Sequence, residues 1–231
     1  MKYKGIIFDF NGTLLFDSQK HYDAWKVYSK KLRGYEFSDD EMRKYMFGRT
    51  NEDIIAYAIQ RKPDKDMVKK YGEEKEAVYR QMCLDDKENF HFSPYSVDLF
   101  DYLLNNNIPH TIATMSNKAN VDFYIKEMHL KNWFDVDKIV YDDGEIKGKP
   151  APDIYLEAAK QLGLKPCECI VVEDALSGIE AAKNAGIGYI VAIASMESTE
   201  LYEKLDCVSC VIKDFSEFNH ELLEIPTVTT V

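Results

Sequence analysis

The chain has 231 residues, 45% hydrophobic and 30% charged, a balance that speaks against a disordered or membrane-embedded polypeptide and suits one α/β domain with a smaller inserted one. The formal charge of −11 argues against a nucleic-acid partner, because a phosphate backbone is held mainly by clustered Lys and Arg. A small anionic ligand is compatible with that charge only if a metal ion or a well-placed lysine makes a local positive site.

Residues 3–8 form a short apolar run that ends at Asp9 and meets Asn11-Gly12, the punctuation expected after a buried strand. A strand therefore delivers Asp9 at its C-terminal tip. Asp9 also interrupts the N-terminal apolar run before a signal-peptide core or a membrane span can form, so a cytoplasmic protein with no membrane partner is expected. From residue 18 to about residue 86 the apolar residues fall at helical spacing, as in Tyr22, Trp25, Tyr28 and Leu32. Breaks at Gly34, Gly48 and Lys62-Pro63 divide this stretch into about four helices. The predicted organisation is a helical cap at 17–90, inserted into a core made of 1–16 and 91–231.

After Pro94 strands and helices alternate, with helices at 95–105, 117–128, 152–162 and 176–185. Strands are expected at 110–115, 138–141, 169–172, 189–192 and near 208–212. Apolar strands alternating with helices imply α/β architecture with a Rossmann-like, doubly wound parallel sheet. The Thr/Val-rich stretch after Pro226 reads as a loose tail. Five cysteines form an odd set, and Cys207 and Cys210 lie in the strand-like CVSCVI, so buried or half-buried thiols are expected, not a redox or zinc site.

In an open parallel sheet the ligand site forms at the C-terminal strand ends. Asp9, Asn11, Thr114, Ser116, Glu173 and Asp174 occupy those ends, and Lys149 sits in a loop that can reach them. Carboxylates, hydroxyls and a lysine on one edge are the inventory for a divalent metal and a phosphate.

Four motifs stand in order: DFNGTL at 9–14, IATMS at 112–116, GKPAPDIY at 148–155 and VVEDALSGIEAAKNAG at 171–186. With them the sequence resembles the haloacid dehalogenase-like superfamily, in its helical-cap subgroup, and most closely β-phosphoglucomutase and related small-molecule phosphatases. The resemblance implies a Mg²⁺-dependent hydrolase of a small phosphorylated metabolite, acting as a monomer through an aspartyl-phosphate. It implies Asp9 as nucleophile and Thr114 and Lys149 as holders of the transferring oxygens. Metal ligands would be Asp9, the Asn11 carbonyl and Asp174, with Glu173 near the ion directly or through water. Substrate contacts would come from Ser116 and Asn117 and, in the cap, from His21, Trp25, Gly48, Arg49 and Asn51.

One position departs from the family pattern. The phosphatases carry an Asp two residues after the nucleophile, where this chain has Asn11. An amide can neither protonate a leaving group nor activate water, and such catalysis is commonly worth about 10²–10⁴ in rate. Asn11 thus defines a slow phosphatase or one using another base such as His21, marks a different reaction, or is an introduced change. A non-hydrolytic phosphate-binding protein and a phosphotransferase of the mutase kind are the alternatives.

Overall fold

The computed structural model describes residues 2–46, 50–195 and 197–226. The expected break at Gly48, the candidate residues Gly48 and Arg49, and the tail beyond Pro226 lie outside the described residues. The chain divides into two compact units, Met1–Phe16 with His91–Val231, and Asp17–Phe90.

The first unit is built on a six-stranded sheet whose strands are β1 (Gly5–Phe8), β2 (His110–Asn117), β3 (Val140–Asp142), β4 (Cys169–Glu173), β5 (Tyr189–Ile193) and β6 (Cys210–Ile212). They lie in the order β3-β2-β1-β4-β5-β6, and every pairing is parallel. The unit's helices, numbered after the four of the other unit, are α5 (Ser96–Asn105), α6 (Lys118–Glu127), α7 (Asp153–Gln161), α8 (Leu176–Asn184) and α9 (Thr199–Glu203). β1 and β4 read as continuous apolar runs because they are buried along their whole length. Ile7, Val171, Tyr155, Ala158 and Ala182 belong to one buried cluster, while Phe8 meets the rings of Phe100, Phe134 and Phe215 edge-on. From β1 the chain builds β2 and β3 on one side and β4 to β6 on the other. The order therefore reverses beside β1, and the C-terminal ends of β1 and β4 flank the place where such sheets bind ligands.

Several boundaries differ from the sequence reading. The first strand begins at Gly5, because Tyr3 instead makes an isolated bridge to Leu223 and donates its hydroxyl to the Gly188 carbonyl at 3.0 Å. β2 extends to Asn117 through a bulged pairing with β3. β3 starts at Val140 because residues 136–138 close a 3₁₀ turn capped by the Asp135 carboxylate. β6 starts at Cys210, after a turn in which the Val208 amide bonds to the Leu205 carbonyl. Helix α9 has no counterpart among the predicted elements, since five residues are too few to display a helical period. The five cysteines carry free thiols.

The second unit holds α1 (Ser18–Arg33), α2 (Asp39–Tyr45), α3 (Asn51–Ile59) and α4 (Lys65–Asp85). α1 stops at Gly34, whose φ of 90° suits a residue without Cβ and whose amide reaches back to Lys30. Ser38 with Glu41 and Thr50 with Asp53 form capping boxes at α2 and α3. Asp64 caps α4 through the Met67 amide at 2.8 Å. Asp39 in the same first turn instead accepts from Lys26 and the Tyr22 hydroxyl. Trp25, Tyr28, Phe37, Ile54, Ile55 and Ala58 fill the interior of this unit. Among the described residues no helix is long and apolar enough to cross a membrane.

Candidate active site

Asp9 leaves β1 with its amide bonded to the Val172 carbonyl at 3.0 Å, which carries the β1–β4 pairing one residue further and sets its carboxylate beside the end of β4. Only 6% of Asp9 is exposed. Lys149 Nζ lies 2.5 Å from Asp9 Oδ1 and 2.5 Å from Glu173 Oε1. Burial alone would push the Lys149 ammonium toward neutrality, but the charges of Asp9 and Glu173 outweigh it and hold its pKa well above the ordinary range.

Glu173 is fully buried and its oxygens are engaged within the protein. Oε2 accepts the amides of Asp174 at 2.6 Å and Ala175 at 2.9 Å. Oε1 accepts Lys149 and, at 3.2 Å, the Tyr155 hydroxyl. A Cβ on Gly178 would stand 1.4 Å from Glu173 Oε1, so α8 can run past this carboxylate only with glycine there. Glu173 is consequently better placed to fix Lys149 than to offer an oxygen to a metal.

Asp174 follows directly. Its Oδ1 accepts the Thr13 hydroxyl at 3.0 Å, and a Cβ on Gly12, whose φ is 79°, would come within 2.1 Å of its Oδ2. Tyr202 donates its hydroxyl to the Asp174 carbonyl at 2.6 Å. Burial, then the neighbouring charges of Glu173 and Asp9, push the Asp174 carboxyl well above the usual range. Carboxylate oxygens of Asp9, Glu173 and Asp174 lie within 4.8 Å of one another. Three carboxylates facing one ammonium leave an excess of negative charge in a buried site. Hard oxygen donors with such an excess fit a divalent cation such as Mg²⁺. Asp9 and Asp174 are the carboxylates that suit it best.

On the β2 side, the Ser116 amide donates to Thr114 Oγ1 at 3.1 Å. Ser116 Oγ donates to Asn11 Oδ1 at 2.7 Å, and Asn11 Nδ2 donates to the Tyr124 hydroxyl at 2.9 Å. Asn117 caps α6, its side chain accepting the Asn120 amide at 3.0 Å. The structure therefore brings together Asp9, Asn11, Thr114, Ser116, Lys149, Glu173 and Asp174, and gives the Asn117 side chain a helix-capping task.

The helical unit carries the remaining candidates. His21 Nδ1 lies 2.8 Å from the buried Lys75 ammonium, which can only donate, so the ring accepts there. His21 Nε2 stands 3.4 Å from Asp17, and the ring stacks on Tyr79 at 3.9 Å. Lys75 also pairs with Glu76 at 2.9 Å and lies over the Trp25 ring. His21 is thus one member of an interlocked polar cluster between α1 and α4. Trp25 is buried against Tyr28. Asn51 opens α3 with its amide turned toward Gly72 of α4.

Sequence reasoning missed Thr13, Tyr124, Tyr155, Tyr202, Gly178 and Lys75. Thr13, Tyr155 and Gly178 lie inside the quoted motifs and could have been weighed as partners of the strand-end carboxylates. Tyr124 has no motif signal, because its contact with Asn11 spans 113 positions.

Comparison with known proteins fits this geometry. The family model for haloacid dehalogenase-like hydrolases matches residues 3–186. A solved haloacid dehalogenase (HAD) hydrolase of family IA, variant 3, from Entamoeba histolytica is 40% identical, covers 96% of this chain and 97% of its own, and superimposes with a TM-score of 0.89. Fructose-1-phosphate phosphatase YqaB of Escherichia coli is 30% identical over 80% of this chain and 94% of its own length. A phosphorylated carbohydrates phosphatase of Thermotoga maritima is 28% identical over 82% and 85%. The parallel sheet, the strand-end carboxylates and these relatives together make the chain a member of the haloacid dehalogenase-like hydrolase family, akin to its phosphatases.

Proposed function

We propose that this protein is a slow, Mg²⁺-dependent phosphatase of a small phosphorylated metabolite, with a sugar phosphate as the leading substrate class. The observation that carries the reading is the position of Lys149 between Asp9 and Glu173, with Asp174 in the same carboxylate cluster. The names of the relatives from Escherichia coli and Thermotoga maritima support the substrate class.

In this reading an Asp9 carboxylate oxygen attacks phosphorus, the bond to the ester oxygen breaks, and the leaving alkoxide takes a proton from solvent. Water then attacks the phosphoaspartate, releasing phosphate and restoring the carboxylate. Lys149 neutralises phosphate oxygens and is held to Asp9 by Glu173. The Thr114 oxygen accepts the Ser116 amide, and its hydroxyl hydrogen would donate to a phosphate oxygen. Asp9, Asp174 and the Asn11 carbonyl would hold Mg²⁺, which supplies charge neutralisation when bound. Asn11 makes proton transfer the weak step at both stages.

The test is steady-state phosphate release from a panel of sugar phosphates, with Mg²⁺ and with chelator, for the native chain and Asn11→Asp. Slow Mg²⁺-dependent release that rises by about 10²–10⁴-fold in Asn11→Asp is expected. No release from either protein would sink the hydrolase reading. Release by Asn11→Asp alone would instead favour a non-hydrolytic phosphate-binding protein, the second reading that Asn11 itself supports.

A further inference from the structure

Asn11 is the position that sets the proposed rate, and its side chain is clamped. An amide nitrogen can only donate and an amide oxygen can only accept, so the two contacts have a fixed sense. Ser116 gives its hydroxyl proton to Oδ1, while Nδ2 gives a proton to the Tyr124 oxygen. Tyr124 is itself immobilised. It is 1% exposed, and its ring stacks on Phe10, the residue between Asp9 and Asn11, at 4.3 Å and 24°. One tyrosine on α6 therefore touches both the backbone turn that follows the nucleophile, through Phe10, and the amide two residues after it.

We infer that Tyr124 is a positioning residue of the active site, which orients the Asn11 amide through its hydroxyl and braces the turn carrying Asp9 through its ring. The catalytic consequence rests on the hydrolase reading above; the orientation of the amide does not. The ring and the hydroxyl are separable. Tyr124→Phe keeps the ring that stacks on Phe10 and removes the hydroxyl that accepts Asn11 Nδ2, so the amide loses this anchor.

The experiment compares the native chain, Tyr124→Phe, Asn11→Ala and the double variant. One readout is the pair of Asn11 side-chain amide proton resonances in ¹⁵N-labelled protein, assigned by their loss in Asn11→Ala. The other is kcat and KM for phosphate release from fructose 1-phosphate with Mg²⁺. Tyr124→Phe is expected to shift or broaden the Asn11 amide pair. It should lower kcat by about 3- to 10-fold, the scale of one hydrogen bond, with KM changed by less than about twofold. In the Asn11→Ala background the same change should cost nothing further. An unmoved amide pair, or an equal fold-loss in both backgrounds, would overturn the positioning role. If no protein releases phosphate, the hydrolase reading fails separately, and the amide resonances alone decide whether Tyr124 holds Asn11.

Discussion

Two buried polar clusters, one in each unit, handle charge in opposite ways. At the end of β1 and β4, Asp9, Glu173 and Asp174 crowd within 4.8 Å, and one lysine pairs with Asp9 and Glu173. In the helical unit, Asp17 faces the Tyr79 hydroxyl and the His21 ring, and Lys75 bridges His21 and Glu76. The helical cluster meets its own hydrogen-bonding needs and rigidifies the α1–α4 contact. The strand-end cluster concentrates negative charge beyond what Lys149 neutralises, an arrangement that costs stability and suits a site completed by cation and phosphate. Similar residue types thus build a self-contained hydrogen-bonded cluster in one unit and, in the other, a cluster suited to a cation and phosphate.

The contrast can be broken most directly at Asp9, the proposed nucleophile. Asp9→Asn should lower phosphate release by about 10³-fold or more while leaving metal-free thermal stability equal or higher, because a crowded carboxylate has been removed. Normal turnover by the Asp9→Asn variant would erase the distinction. Gly178→Ala is expected to force the Glu173 carboxylate aside, costing about 1–3 kcal/mol by denaturant unfolding together with loss of activity as Lys149 shifts. Unchanged stability and turnover would mean that Glu173 is not the fixed anchor of Lys149. Asp17→Asn should reverse the pattern of Asp9→Asn, lowering stability by about 1–2 kcal/mol as its hydroxyl and imidazole partners lose a charged acceptor. Equal stability there would show that the helical cluster is not structural.

The smallest expected effect is pH-dependent. Arg33 holds Glu41 through two bonds of 2.7 and 2.9 Å, and this guanidinium, opposed by burial and aided by Ser38 and Tyr57, keeps the Glu41 carboxyl well below its ordinary 4.5. A depressed folded-state pKa contributes stability above the unfolded value that is lost as pH falls through the folded one. Glu41→Gln should therefore reduce stability modestly at pH 7 and flatten the decline below about pH 4.5. Parallel stability curves for the two proteins across that range would show that the pair contributes no pH dependence.

The parallel α/β core was legible because β1 and β4 are buried along their whole length and the turns are punctuated, so that both show as apolar runs leading to Asp9 and Glu173. The fold class followed from that alternation. Less legible was everything decided by contact across the sequence. The motifs carry Lys149, Tyr155 and Gly178 but do not say that all three meet at Glu173, and nothing near Asn11 announces Tyr124. One helix alone makes His21 a candidate base, whereas its ring is committed to Lys75 and Tyr79 on another. Helical periodicity gives a residue's face but not the partner that meets it.

If Asp9 carries the phosphoryl group and Asn11 slows its release, both parts can be tested together by acid-quenched peptide mass mapping during turnover of an activated aryl phosphate with Mg²⁺. A phosphoryl adduct on Asp9 that accumulates in the native chain and is depleted in Asn11→Asp is the predicted result. Turnover with an adduct on another residue, or with Asp9 unmodified throughout in both proteins, would contradict it.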